Sequence, residues 1–182
     1  MPTIVTHAVV GAALAQVGPR CVPRGRLTLA LVVLAVFPDL DVVAFHLGIP
    51  YSHWLGHRGL SHSLLFAVCV AAIVARFEFR QAPPGTRDGW CVFGLCTLAI
   101  ASHGLLDAFT NGGLGVAFFL PLTTNRYFFP FRPLEVSPIG VENFLRGPAF
   151  AVFASEILYL WFPIVAALAL LRVSSRRSGA VT

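Results

Sequence analysis

The chain has 182 residues, a length that suits one domain; 57% are hydrophobic, 12% are charged, and mean hydropathy is +0.78. That balance excludes an ordinary soluble globular protein and reads as an integral membrane protein. The formal charge of +5 sets thirteen arginines, with no lysine, against eight acidic residues; the arginines fall in loops instead of on one soluble face, which fits membrane topology better than nucleic-acid recognition.

Five helical regions are expected. Residues 3–17 are apolar, short of a full span, and carry His7. No basic stretch precedes them, so they do not read as a cleavable signal peptide. A Gly-, Pro- and Arg-rich loop (18–26) leads to a second helix over 27–37, interrupted at Pro38 and resuming over 42–47. An internal proline removes one backbone hydrogen bond and clashes with the preceding turn. After the polar stretch 50–61, Ser61 is the expected N-cap of a third helix, 62–79. Pro83, Pro84 and Gly85 break the chain within 80–89. The fourth helix, 90–109, ends at Asn111-Gly112-Gly113. Residues 112–148 are rich in Gly, Pro and Phe without a long periodic run, and irregular or re-entrant structure is expected. Membrane depth tolerates such backbone only where it packs on protein or lines a wet cavity. The last helix is 149–171, and it and 90–109 reach the roughly 20 residues needed to cross about 30 Å of hydrocarbon.

The expected fold is therefore all-α: a polytopic membrane bundle of about four to five helices, one domain over residues 1–182. Cys21, Cys69, Cys91 and Cys96 form no C-x-x-C pair and read as small hydrophobes, not as a disulfide framework. If the helices alternate in direction, loops 18–26 and 76–89 and the tail 172–182 share one side. They hold Arg20, Arg24, Arg26, Arg76, Arg80, Arg87, Arg172, Arg176 and Arg177, leaving Arg58, Arg126, Arg132 and Arg146 for the other. The positive-inside rule makes the arginine-rich side cytoplasmic.

The same alternation gathers the ionisable residues at the opposite end. They are His7; Asp39 and Asp41 in Pro38-Asp39-Leu40-Asp41; His57, Arg58 and His62 in GHRGLSHS (56–63); and His103 with Asp107, while Arg126 follows further on. Ionisable groups in membrane segments are costly and mark function by default. Imidazole nitrogens and carboxylate oxygens are also the donor set for zinc and similar divalent ions. His103 and Asp107 stand one helical turn apart and face the same way. Asp39 and Asp41 cannot share a regular helix face, yet a Pro-broken turn lets both point into one site. Taken singly, His7 reads as a buried core histidine, the aspartates as a surface turn, and His103 with Asp107 as a structural pair. His46 and His53, beside Tyr51 and Trp54, read as interfacial residues. The four clusters together point to a metal site at one end of the bundle.

Those motifs carry a resemblance. Thr6-His7, PDLD (38–41), GHRGLSHS (56–63), HGLLDAFTNGG (103–113) and the P-x-x-x-x-R-Y-x-x-P stretch from Pro121 to Pro130 resemble the YdjM-like family of bacterial inner-membrane proteins, described as metal-dependent hydrolases. The likeness covers about residues 3–140; the final helix carries no motif. It implies a membrane-bound hydrolase using a divalent metal. More distantly, the order His, Asp, His, H-x-x-x-D is similar to that of zinc-dependent phospholipases C. Those carry a further H-x-x-x-E pair, whereas this chain has no histidine after His103.

The resulting expectation is a hydrolase at the outer-leaflet side of the cytoplasmic membrane. One or two divalent ions, zinc foremost, would be held by His7, Asp39, Asp41, His57, His62, His103 and Asp107. Asp41 or Asp39 could instead be a general base, and Arg58 and Arg126 would neutralise a phosphate or developing oxyanion. Thr110 and Ser63 would be supporting hydrogen-bond partners. The expected partners are membrane lipid and a lipid or lipid-linked phosphoester substrate, with no nucleic acid. The alternative is a non-catalytic metal-binding membrane protein (a sensor, an ion-handling protein or an assembly factor) whose ligands fill every coordination position. Haem ligation by paired histidines is a third reading, which the neighbouring carboxylates fit poorly.

Overall fold

The computed structural model describes residues 1–179, apart from the side chains of Val141 and residues 175–179. The regular structure is all helical. Helix α1 (Ile4–Leu14) starts at Thr3, whose hydroxyl accepts the Thr6 N–H, and tightens into a 3-10 turn at Ala15–Val17. The Arg24 guanidinium closes that end by donating to the carbonyls of Ala15 and Gly18. Helix α2 (Arg24–Val36) continues through a 3-10 stretch, Phe37–Val42, into the short α3 (Val43–His46). Pro38 thus tightens the span without ending it, because it lies in the first turn of the 3-10 stretch, where a missing N–H is tolerated.

A loop and a 3-10 turn (Leu60–His62) lead to α4 (Leu64–Glu78). Its N-cap is Ser63, which accepts the Phe66 N–H at 3.1 Å. Ser61, the residue expected to cap, turns its hydroxyl to Asp41 instead. Helix α5 (Arg87–Ala108) is capped by Thr86 and so begins three residues earlier than its apolar run. Residues 110–138 are irregular, tied by two isolated bridges, Thr110 to Leu134 and Val116 to Tyr127. The short α6 (Val141–Arg146), absent from the sequence reading, precedes the final span: α7 (Ala149–Glu156), one π turn (Ile157–Trp161) and α8 (Phe162–Gly179).

Three stretches are long and apolar enough to cross a membrane: Arg24–His46, Arg87–Ala108 and Ala149–Ser174. Helices α1 and α4, of 11 and 15 residues, are shorter. The core lies where α2 and α4 flank α5, with Leu27, Leu31 and Leu34 meeting Ala67, Ala71, Val92, Cys96 and Ala99. Small residues let such helices approach closely. Gly11 does the same for α1 on α2: a Cβ there would lie 2.5 Å from the Leu31 carbonyl oxygen.

The helices alternate in direction. At one end Arg26 pairs with Glu78 at 2.7 Å, and the Cys21 thiol donates to Asp88 at 3.2 Å, so loops 18–26 and 79–86 are neighbours. Helix α8 runs beside α1, with Ile164, Leu168 and Leu171 lining a groove with Val10, Leu14 and Val17. The tail therefore leaves toward the same basic end; the side chains of Arg176 and Arg177 fall outside the described residues. The starts of α1 and α4 and the far ends of α2 and α5 meet at the other end.

Candidate metal centre

Each polar side chain of that far end is placed by a local device. His7 stands on the first turn of α1, and Asp39 and Asp41 on the 3-10 stretch, whose tighter winding lets both carboxylates reach the bundle interior. In GHRGLSHS the loop doubles back on itself at Gly59, where a Cβ would sit 2.3 Å from the Trp54 carbonyl oxygen. Arg58 takes the left-handed region (φ 60°) that non-glycine residues seldom adopt. The result is that His57, Arg58 and His62 all turn inward, each 3% exposed or less.

The four histidines and three aspartates form one interlocked cluster. Asp41 uses both oxygens: Oδ1 lies 2.6 Å from His57 Nδ1, while Oδ2 accepts from the Ser61 hydroxyl at 2.6 Å and the Arg58 N–H at 3.1 Å and lies 3.1 Å from His62 Nδ1. His103 sets its Nδ1 against the Ala35 carbonyl at 2.7 Å, which turns Nε2 inward to within 3.2 Å of Asp39 Oδ1. His62 Nε2 reaches to 3.4 Å from Asp107 Oδ2, and His7 Nε2 to 4.0 Å from Asp107 Oδ1. Arg58 Nε lies 2.9 Å from Asp107 Oδ2, its Nη1 donates to the Gly112 carbonyl and its Nη2 to the Thr110 hydroxyl. Two donor sets emerge, His7 with His103 and Asp107, and Asp39 with His57 and His62, each with its ligand atoms within 4.8 Å of one another.

The residues fit a cation on two counts. Among the described residues, nine buried side-chain atoms have no hydrogen-bond partner: Arg58 Nε, which stands against Asp107, and eight that could serve as metal ligands, namely both nitrogens of His7, both oxygens of Asp39 and of Asp107, and Nε2 of His62 and His103. Buried polar groups are ordinarily satisfied, and leaving one bare costs about 1–3 kcal/mol. A shared ion would satisfy most of them at once. The charges agree, since three carboxylates face a single guanidinium, that of Arg58, and a divalent ion offsets the remainder.

The other expected site residues lie elsewhere. Arg126 does not face the cluster: its Nη1 donates to the carbonyls of His57 and Gly115, and its Nη2 to those of Tyr51 and His53, at 3.0–3.3 Å. It clamps the irregular segments that roof the site. Thr110 accepts from Arg58 and donates to the Asp107 carbonyl, and so supports the cluster, whereas Ser63 serves as a helix cap. His46 and His53 are exposed and outside the cluster. Sequence reasoning did not single out the Asp41 contact of Ser61, nor Glu156, a buried acid in the final span whose solitude in an apolar run was its only signal.

The comparisons with known proteins agree with this architecture. The chain is 34% identical over 164 residues to the inner membrane protein YbcI of Escherichia coli (strain K12), a match covering 90% of this chain and 92% of that protein. No solved structure matches. The family described as YdjM inner membrane protein matches residues 1–179, and the chain, a helical membrane bundle with His/Asp groups able to hold a metal ion, belongs to that family.

Proposed function

We propose that the buried cluster binds one or two divalent ions, zinc foremost, and that the loaded centre hydrolyses a phosphoester in a lipid or lipid-linked substrate at the non-cytoplasmic face of the inner membrane. The observation that carries the reading is the convergence of eight buried ligand atoms that make no hydrogen bond, on His7, Asp39, His62, His103 and Asp107. An ion bound there would supply Lewis-acid activation of water and of a phosphoryl oxygen near neutral pH.

The chain's own residues divide the remaining work. Asp41, with both oxygens engaged, orients His57 and His62, as carboxylates behind metal-binding imidazoles commonly do. Asp39, whose Oδ1 lies 3.2 Å from His103 Nε2, would take a proton from water in place of serving as a ligand. Arg58 fixes and neutralises Asp107. Two ions would leave the cluster with excess positive charge, complementary to an anionic phosphate. The position at the ends of membrane spans favours a substrate carried by lipid.

One observation favours a second reading, a saturated metal site without turnover: every donor side chain is a tenth exposed or less. Metal analysis of the purified protein in detergent, with His103→Ala alongside, tests the shared premise. One or two ions per chain, lost in the variant, is the expected result, and no ion in either after reconstitution overturns it. With metal present, pulsed EPR of cobalt-substituted protein separates the readings: an exchangeable water on the ion supports hydrolysis, and its absence supports the saturated site.

A further inference from the structure

Outside the cluster, a second ionisable group is buried within a membrane span. Glu156 is 0% exposed, although the span that carries it is otherwise mostly exposed. Its Oε2 accepts from the hydroxyls of Thr3 and Thr6, each at 2.7 Å, and its Oε1 accepts the backbone N–H of Thr3. Trp161 Nε1 donates to the same Thr6 hydroxyl at 2.7 Å. The span departs from α geometry between these two residues, in the π turn Ile157–Trp161. Along an α-helix, residues five apart are turned by about 140°; a turn with i→i+5 bonding returns them to one face. The distortion thus lets both Glu156 and Trp161 grip the start of α1.

What lies beside that grip is His7. The other three clustered histidines each have an Nδ1 partner, Asp41 for His57 and His62 and the Ala35 carbonyl for His103. His7 has no hydrogen bond at either ring nitrogen, so its placement depends on the backbone that bears it. That backbone begins at Thr3 and passes through Thr6, the two residues Glu156 holds. We infer that Glu156 is a positioning residue of the metal centre, acting through Thr3 and Thr6 to set where the His7 imidazole stands. The inference rests on the metal-binding reading for its consequence and on the hydrogen bonds for its geometry.

The test compares wild type, Glu156→Ala, Glu156→Gln and His7→Ala in nanodiscs by cobalt titration and by the visible spectrum of the bound cobalt. Expected are a Kd for cobalt raised roughly 10–100-fold in Glu156→Ala, as for loss of a supporting group, and a spectrum shifted toward that of His7→Ala. Glu156→Gln, of the same shape, covers the case in which the alanine variant does not fold, and should shift in the same direction. Leu168→Ala, which loosens the α1–α8 groove away from the site, should lower stability and leave the spectrum alone. Wild-type affinity and spectrum in both Glu156 variants overturn the inference. If wild type binds no ion, the metal-binding reading fails by itself. The positioning claim is then read from spin labels at Ile4 and Leu98, both exposed, in cysteine-free, metal-free protein: a shifted or broadened distance in Glu156→Gln supports it, and an unchanged one overturns it.

Discussion

His7 and His103 lie face to face, ring centroids 3.7 Å apart and planes inclined by only 11°. Neither Nε2 makes a hydrogen bond: that of His7 lies 4.0 Å from Asp107 and that of His103 3.2 Å from Asp39. Two parallel imidazoles with bare inward nitrogens are a poor arrangement for a metal-free interior and a good one around a cation. Zinc at a thousandfold over its Kd should therefore stabilise the fold by about 4 kcal/mol, seen as a raised thermal unfolding midpoint that EDTA reverses. Equal midpoints with and without zinc would count against the site.

Asp41 and Asp107 are expected to differ in kind. Asp41→Asn keeps all five residues with bare donor atoms and loosens two imidazoles, so zinc affinity should fall roughly 10–100-fold at unchanged stoichiometry. Asp107→Asn replaces the carboxylate that faces His7, His62 and Arg58 and should cost bound ion outright. Competition against a chromophoric chelator distinguishes them, and complete metal loss in Asp41→Asn would make Asp41 a ligand.

Arg58 is the cation that offsets Asp107, both side chains being 1% exposed or less. Removing one partner of a buried pair commonly costs about 3–5 kcal/mol, so Arg58→Gln should markedly destabilise the metal-free protein. The loaded protein should suffer less, because the ion neutralises the same carboxylate. Denaturant unfolding with and without zinc measures the difference; an equal loss in both states would separate Arg58 from the centre.

Arg126 is expected to act on the roof, not on a phosphate. Hydrogen bonds from a charged donor are worth about 1.5–3 kcal/mol each at best, and partial exposure reduces that. Arg126→Ala should lose about 2 kcal/mol of stability and raise cysteine accessibility at residues 51–57, with metal stoichiometry intact. Unchanged stability together with a lost phosphate-dependent activity would restore Arg126 to the site.

Orientation has a direct readout. Single cysteines at residue 85, on the arginine-rich end, and at residue 114, on the roof, in a cysteine-free background should label from opposite sides of intact cells. The roof position should be open to an impermeant reagent and the other protected. The reverse pattern would put the centre on the cytoplasmic side.

Much of the cluster was legible because histidine and aspartate in apolar runs are expensive at membrane depth, so their mere presence marks them. Which atom meets which was not. Asp39 and Asp41 carry the same chemistry, and only the 3-10 winding at Phe37–Val42 decides that one is engaged twice over and the other left bare. Ser61 is the expected cap, but the Asp41 carboxylate claims its hydroxyl and the cap passes to Ser63. The partners of Arg126 are backbone carbonyls, which leave no trace in residue identity. Glu156 meets Thr3 and Thr6 from the far end of the chain, a separation that local patterns do not register.

The roof held by Arg126 also has a consequence in time. The donors are covered by backbone that is itself stitched together, Ala117 N–H to the Arg58 carbonyl and Leu64 N–H to the Phe118 carbonyl. An ion bound there, as proposed, would exchange through a local opening of those loops, slowed about tenfold for each 1.4 kcal/mol that opening costs. A tighter roof would make the occupancy of the centre respond more slowly to changes in metal supply.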